Sequence, residues 1–113
     1  MDLRMAICDD EAEALEHTRL WAQAWAEQAG HAARIETFPT AEAFLIQYEE
    51  DKAFDLLLLD IEMARMNGVA LARTVRAQNR EIAIVFLTGY ADYIADGYDV
   101  EALHYLLKPI TRE

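Results

Sequence analysis

A chain of 113 residues, 54% hydrophobic and 27% charged, has room for one core and needs no metal or disulfide to hold it. No run approaches the roughly 20 apolar residues of a membrane span, and the N-terminus lacks the charged-then-apolar order of a signal peptide. A net charge of −11 argues against a basic face that grips nucleic acid, and Cys8 alone leaves no internal disulfide, which fits a reducing cytoplasm.

Leu3-Arg4-Met5-Ala6-Ile7-Cys8 reads as a short strand running into the acidic loop Asp9-Asp10-Glu11. From Glu11 to about Ala29 the chain is rich in Ala, Glu, Leu and Gln, all good helix formers. Leu15, Ala22, Ala26 and Ala29 trace one face of that helix, and Ala14, Thr18, Trp21 and Trp25 its neighbour, a stripe wide enough to lie on a sheet. Gly30 supplies the stop. Residues Ala33 to Phe38 alternate as a strand with one exposed edge, and Thr40 caps a helix running to about Glu50.

The centre of the pattern is Phe54 to Gly68. Leu56-Leu57-Leu58-Leu59 is too short for a buried helix and suits a strand covered on both faces, as in a parallel sheet. Asp60 then stands at the carboxyl end of that strand, where open α/β sheets place their chemistry. Asn67-Gly68 signals a turn before a helix from Gly68 to about Gln78, with Val69, Leu71, Ala72 and Val75 on its apolar face. Ile82 to Leu87 is a second continuous apolar run, ending at Thr88-Gly89. A weaker helix covers about Ala91 to Asp99, and Ala102 to Leu107 is a last strand leading into Lys108-Pro109.

The order β-α-β-α-β-α-β-α-β predicts a doubly wound parallel α/β sheet with helices on both faces. In the flavodoxin-like order 2-1-3-4-5, the tips bearing Asp9/Asp10, Asp60, Thr88 and Lys108 converge at the switch point, with Pro39 off to one side. Crowded carboxylates favour a cation, and an all-oxygen donor set suits Mg²⁺. Lys108 offers a positive charge and Thr88 a hydroxyl. A carboxylate nucleophile, a metal, a cation and a hydroxyl together suit phosphoryl transfer to Asp60.

Over its whole length the chain resembles the receiver domains of two-component response regulators (CheY-like). Asp9-Asp10 resembles the family's acidic pair, Asp60 its phosphoacceptor, Thr88 its switch hydroxyl, Tyr105 its switch aromatic, and Lys108 before Pro109 its lysine. The tail IVFLTGYADYIADGYDVEALHYLLKPI is most similar to receivers that precede LytTR-type DNA-binding domains. The resemblance implies that Asp60 takes phosphate from a sensor histidine kinase, with Mg²⁺ held by Asp10, Asp60 and the backbone carbonyl of Glu62, and Asp9 assisting through a metal-bound water. It further implies a concerted move of Thr88 and Tyr105 that remodels the face of the fourth helix and fifth strand, and a cis Lys108-Pro109 bond.

On that reading residues 1–113 are one receiver domain that stops before its fifth helix, with the output domain outside the chain. A cytoplasmic homodimer is expected, without direct nucleic-acid or membrane binding by this chain. Ala64 departs from the proline common in the family, and Glu62 and Tyr90 flank the phosphoryl site. A hydrolase of the aspartate-nucleophile type would want an Asp two residues after Asp60, where this chain has Glu62. A purely binding module would have no use for the intact Asp9, Asp10, Asp60, Thr88 and Lys108 set. His17, His31 and His104 are scattered over helix, loop and strand and suggest no metal site, and Cys8 reads as core.

Overall fold

A computed structural model of the chain describes residues 2–61, 63, 66–88 and 104–107. Five strands, β1 (Asp2–Cys8), β2 (Ala32–Phe38), β3 (Leu56–Asp60), β4 (Ala83–Thr88) and β5 (His104–Leu107), form one sheet in the order β2-β1-β3-β4-β5. Every neighbouring pair is parallel. The helices α1 (Ala12–Gln28), α2 (Ala41–Glu50) and α3 (Gly68–Gln78) make the crossovers between the first four strands. The flavodoxin-like topology expected from the pattern is therefore the one observed. The expected fourth helix lies outside the described residues, as does anything beyond Leu107.

The boundaries follow local chemistry. The α2 helix begins where the Thr40 hydroxyl accepts from the Ala43 N–H at 3.0 Å, and α3 where Asn67 Oδ1 accepts from the Ala70 N–H at 2.9 Å. At the end of α1 the Gly30 N–H donates to the Glu27 carbonyl and the His31 N–H to the Ala26 carbonyl. That pair of bonds is a Schellman stop, and it requires the left-handed φ of +78° that Gly30 adopts.

Alternation along the strands sorts side chains onto two faces. Ala6, Cys8, Leu57, Leu59, Ile84 and Phe86 face α2 and α3, where they meet Phe44, Tyr48, Leu71 and Val75. Met5, Ile7, Leu58, Val85 and Leu87 pack on the other side with Ala22 of α1. The β3 strand is thus buried on both faces, as its unbroken leucine run predicts. On α1 the burial is narrower than the sequence stripe: Thr18, Ala22 and Ala26 are buried, while Ala29 is exposed at the C-cap and Trp25 is 42% exposed. Leu15 and Trp21 are partly buried against the same layer, so both rows contribute contacts to the sheet, and it is the carboxyl-terminal members, Trp25 and Ala29, that stay exposed.

At the amino-terminal edge of the sheet, Arg4 ties three segments together. Its guanidinium pairs with Glu36 of β2 and with Asp51 beyond α2, and it lies 4.1 Å from the centre of the Phe54 ring. The main chains of Arg4 and Asp55 are also joined, by a 2.8 Å bond from the Asp55 N–H to the Arg4 carbonyl. The sheet is anchored at the end away from its carboxyl tips.

The burial pattern sets a test of the core. Leu57 is fully buried and Leu20 is 56% exposed. Leu57→Ala is expected to cost about 2–5 kcal/mol through lost burial and a cavity, and Leu20→Ala to stay within about 0.5 kcal/mol. Urea denaturation followed by circular dichroism measures both.

Candidate functional site

The carboxyl edge of the sheet is built by register. Cys8 of β1 is the partner of Leu59 of β3, so Asp9 and Asp60, each one residue further on, emerge side by side. Asp60 in turn is the partner of Leu87 of β4, and Thr88 ends that strand one residue later. Carboxylate oxygens of Asp9, Asp10 and Asp60 all lie within 4.8 Å of one another. Asp9 is fully buried and Asp60 only 3% exposed, whereas Asp10 opens to solvent. The site therefore has a buried floor and a wet rim.

Asp9 is held in place locally. Its Oδ1 accepts from the Glu11 N–H at 3.0 Å, and its own N–H donates to the Phe38 carbonyl at 3.2 Å. Beyond Asp60 the chain turns over the carbonyl of Ile61, which accepts from both the Met63 and the Gly68 N–H groups at 3.0 Å. The Ile61 N–H donates to the Leu87 carbonyl at 3.2 Å, continuing the β3–β4 ladder past Asp60. Met63 is buried and Met66 partly buried, both against the core beneath the site.

Three carboxylates with oxygen-only donors, two buried and one solvent-facing, fit a hard divalent ion that keeps part of its water shell. Like charges at this spacing are the arrangement that a cation relieves. The expected acidic cluster is therefore assembled by the fold. Thr88 and Tyr105 lie on adjacent strands, β4 and β5, with Tyr105 in register with Phe86 and Leu107 with Thr88. Glu62, Ala64, Tyr90, Lys108 and Pro109 fall outside the described residues.

Sequence comparison settles the family. A family model described as the response regulator receiver domain matches residues 5–113. The chain belongs to that family. A relative from Bacteroides fragilis, the transcriptional regulatory protein RprY, is 32% identical over 98% of this chain and 45% of its own length. The sensory transduction protein LytT of Bacillus subtilis is 38% identical over 56% of this chain and 26% of its own. Among solved structures, the response regulator TrrA from Thermotoga maritima in complex with Mg²⁺-BeF superimposes with a TM-score of 0.74 at 27% identity, over 96% of this chain and 89% of that one. The chain spans less than half the length of the curated relatives it matches. Receiver domains are signalling domains phosphorylated by sensor histidine kinases, and they bind Mg²⁺ at an acidic pocket. Among the described residues no helix is long and apolar enough to cross a membrane.

Cys8, one residue before Asp9, is fully buried, and its thiol is pushed far above the ordinary cysteine range, first by burial and then by the neighbouring Asp9 charge. A neutral, enclosed thiol is packing, as its place in the apolar run suggests. Cys8 should resist an aromatic disulfide reagent at neutral pH in the native protein and react stoichiometrically once urea unfolds the chain. Fast labelling without urea would contradict the burial.

Proposed function

We propose that this receiver takes its phosphoryl group on Asp60. The observation that carries the reading is the convergence of Asp60, Asp9 and Asp10 at the carboxyl tips of β3 and β1, with the Asp60 side chain nearly buried. A carboxylate is a weak nucleophile, so transfer to it depends on alignment and on neutralising charge at the transferring group. An Asp60 oxygen attacks phosphorus, the phosphorus–nitrogen bond of the kinase's phosphohistidine breaks, and an acyl phosphate forms on Asp60. The freed electron pair stays on the imidazole nitrogen, which takes up a proton.

Asp10, Asp60 and the backbone carbonyl of Glu62 would hold Mg²⁺, with Asp9 supporting it through water; the ion supplies charge neutralisation at the phosphoryl oxygens. Thr88 closes β4 beside the Asp60 tip and would donate its hydroxyl to a phosphoryl oxygen, while Lys108, which follows Leu107, the register partner of Thr88, would bring the balancing positive charge. Rearrangement of Thr88 and Tyr105 would carry the change to the face containing β5 and there favour self-association. The full regulator would be cytoplasmic, with a DNA-binding output of LytTR type as a separate domain; the names of the curated relatives, a transcriptional regulatory and a sensory transduction protein, support the regulatory part of that reading. The hydrolase alternative lacks its second aspartate, since Glu62 stands two residues after Asp60.

Incubation with Mg²⁺ and acetyl phosphate, read by intact mass, tests the nucleophile. The wild-type chain should gain one phosphoryl group, Asp60→Asn none, and omission of Mg²⁺ should reduce uptake at least tenfold. An adduct on Asp60→Asn equal to that on the wild type would place the chemistry elsewhere.

A further inference from the structure

The first residue of α3 approaches the end of β3 in a contact that has nothing to do with turn conformation. Gly68 is the first residue of α3 and is buried. A Cβ at this position would stand 2.3 Å from the carbonyl oxygen of Asp60, and 3.0 Å from both its carbonyl carbon and the Ile61 Cα. Ordinary contact between such atoms is wider by about 1 Å. All three obstructing atoms are main chain, so no side chain can rotate away to make room.

Neither partner in the contact is free to retreat. Asp60 is in register with Leu87, and the Ile61 N–H is bonded to the Leu87 carbonyl. On the other side, α3 is fastened by the Asn67 cap, by the Gly68 N–H on the Ile61 carbonyl, and by Val69, Leu71, Ala72 and Val75 in the core. A methyl group at 68 must either lift the start of α3 or push the end of β3 sideways. The second displacement moves the residue whose carboxylate completes a cluster only 4.8 Å across.

We propose that Gly68 is a positioning residue for the acidic site: the hydrogen in place of its Cβ lets α3 press on the main chain of Asp60 and so sets where the Asp60 carboxylate stands relative to Asp9 and Asp10. The inference rests on the reading of Asp60 and its neighbours as the metal and phosphoryl site. Displacements of about 1 Å in such sites carry large rate penalties, because alignment is most of the catalysis.

Gly68→Ala tests it, with Gly30→Ala as the matched control. Gly30 needs its positive φ but has nothing within 4 Å of an added Cβ, so its substitution strains the backbone without touching the site. Three quantities are measured on each protein: urea stability without metal, Mg²⁺ affinity by titration calorimetry, and the initial rate of adduct formation with acetyl phosphate. Gly68→Ala is expected to weaken Mg²⁺ binding and slow uptake by at least tenfold while remaining folded. Gly30→Ala should lose stability and keep both site properties within twofold of wild type. If Gly68→Ala needs sucrose or trimethylamine oxide to fold, all three proteins are compared in that osmolyte.

Wild-type Mg²⁺ affinity and uptake rate in folded Gly68→Ala would overturn the positioning role and leave the Asp60 reading intact. Equal losses in Gly30→Ala would also overturn it, by assigning the effect to stability alone. A wild-type chain that neither binds Mg²⁺ nor takes up phosphate would overturn the reading of the site and the Gly68 role with it.

Discussion

A strand buried on both faces can carry polar groups only at its ends, and β3 obeys this constraint throughout. Leu57 and Leu59 point into one layer of the core, Leu58 into the other, and the first carboxylate appears at Asp60. Because β1 and β3 are adjacent and parallel, the chain leaves both at the same edge, and Asp9 meets Asp60 there. Three acidic groups are thereby held close together by main-chain hydrogen bonds and packed side chains. Left to flexible loops, their mutual repulsion would spread them apart.

The two layers of the core are not equivalent. On the side of α2 and α3 the packing is aromatic, with Phe38, Phe44, Phe54 and Tyr48 in contact, and the rings of Phe44 and Tyr48 are stacked. On the α1 side it is mostly aliphatic. The aromatic layer joins α2 to the strands from below, and Arg4 closes the same region at the amino-terminal edge by covering Phe54. The result is a rigid base under the site and a polar rim around it, a division of labour that suits chemistry depending on fixed geometry. The Ile61 carbonyl, accepting from Met63 and Gly68 together, extends that rigidity one residue beyond β3.

Membership in the receiver family accounts for the general chemistry of the acidic edge. It does not extend to everything the longer relatives do, since this chain spans less than half of their length. What the fold adds is a reason for the particular residues. The acidic pair that follows β1 meets Asp60 because Cys8 and Leu59 are in register, and Thr88 ends the next strand over, one residue past the register partner of Asp60.

Much of this was legible in the residue pattern. Leucine runs bounded by polar residues marked the buried strands, alternation with helices marked a parallel sheet, and the switch-point rule placed Asp9, Asp10 and Asp60 together. Those inferences rest on periodicity and chain order, which are properties of the sequence itself. Other features depend on distances between segments, which periodicity does not encode. Trp25 belongs to an apolar stripe yet is exposed, whereas Trp21, one turn earlier in the same stripe, packs against the core. Asn67-Gly68 marks the start of a helix in the pattern as in the structure, but the pattern does not show that Gly68 lacks a positive φ and that its small size is required by a carbonyl eight residues earlier. Sequence alone determined which residues gather at the carboxyl edge; only the docking of α3 on β3 decided how closely its first turn approaches Asp60, because that separation is set by packing between elements rather than by either element's own pattern.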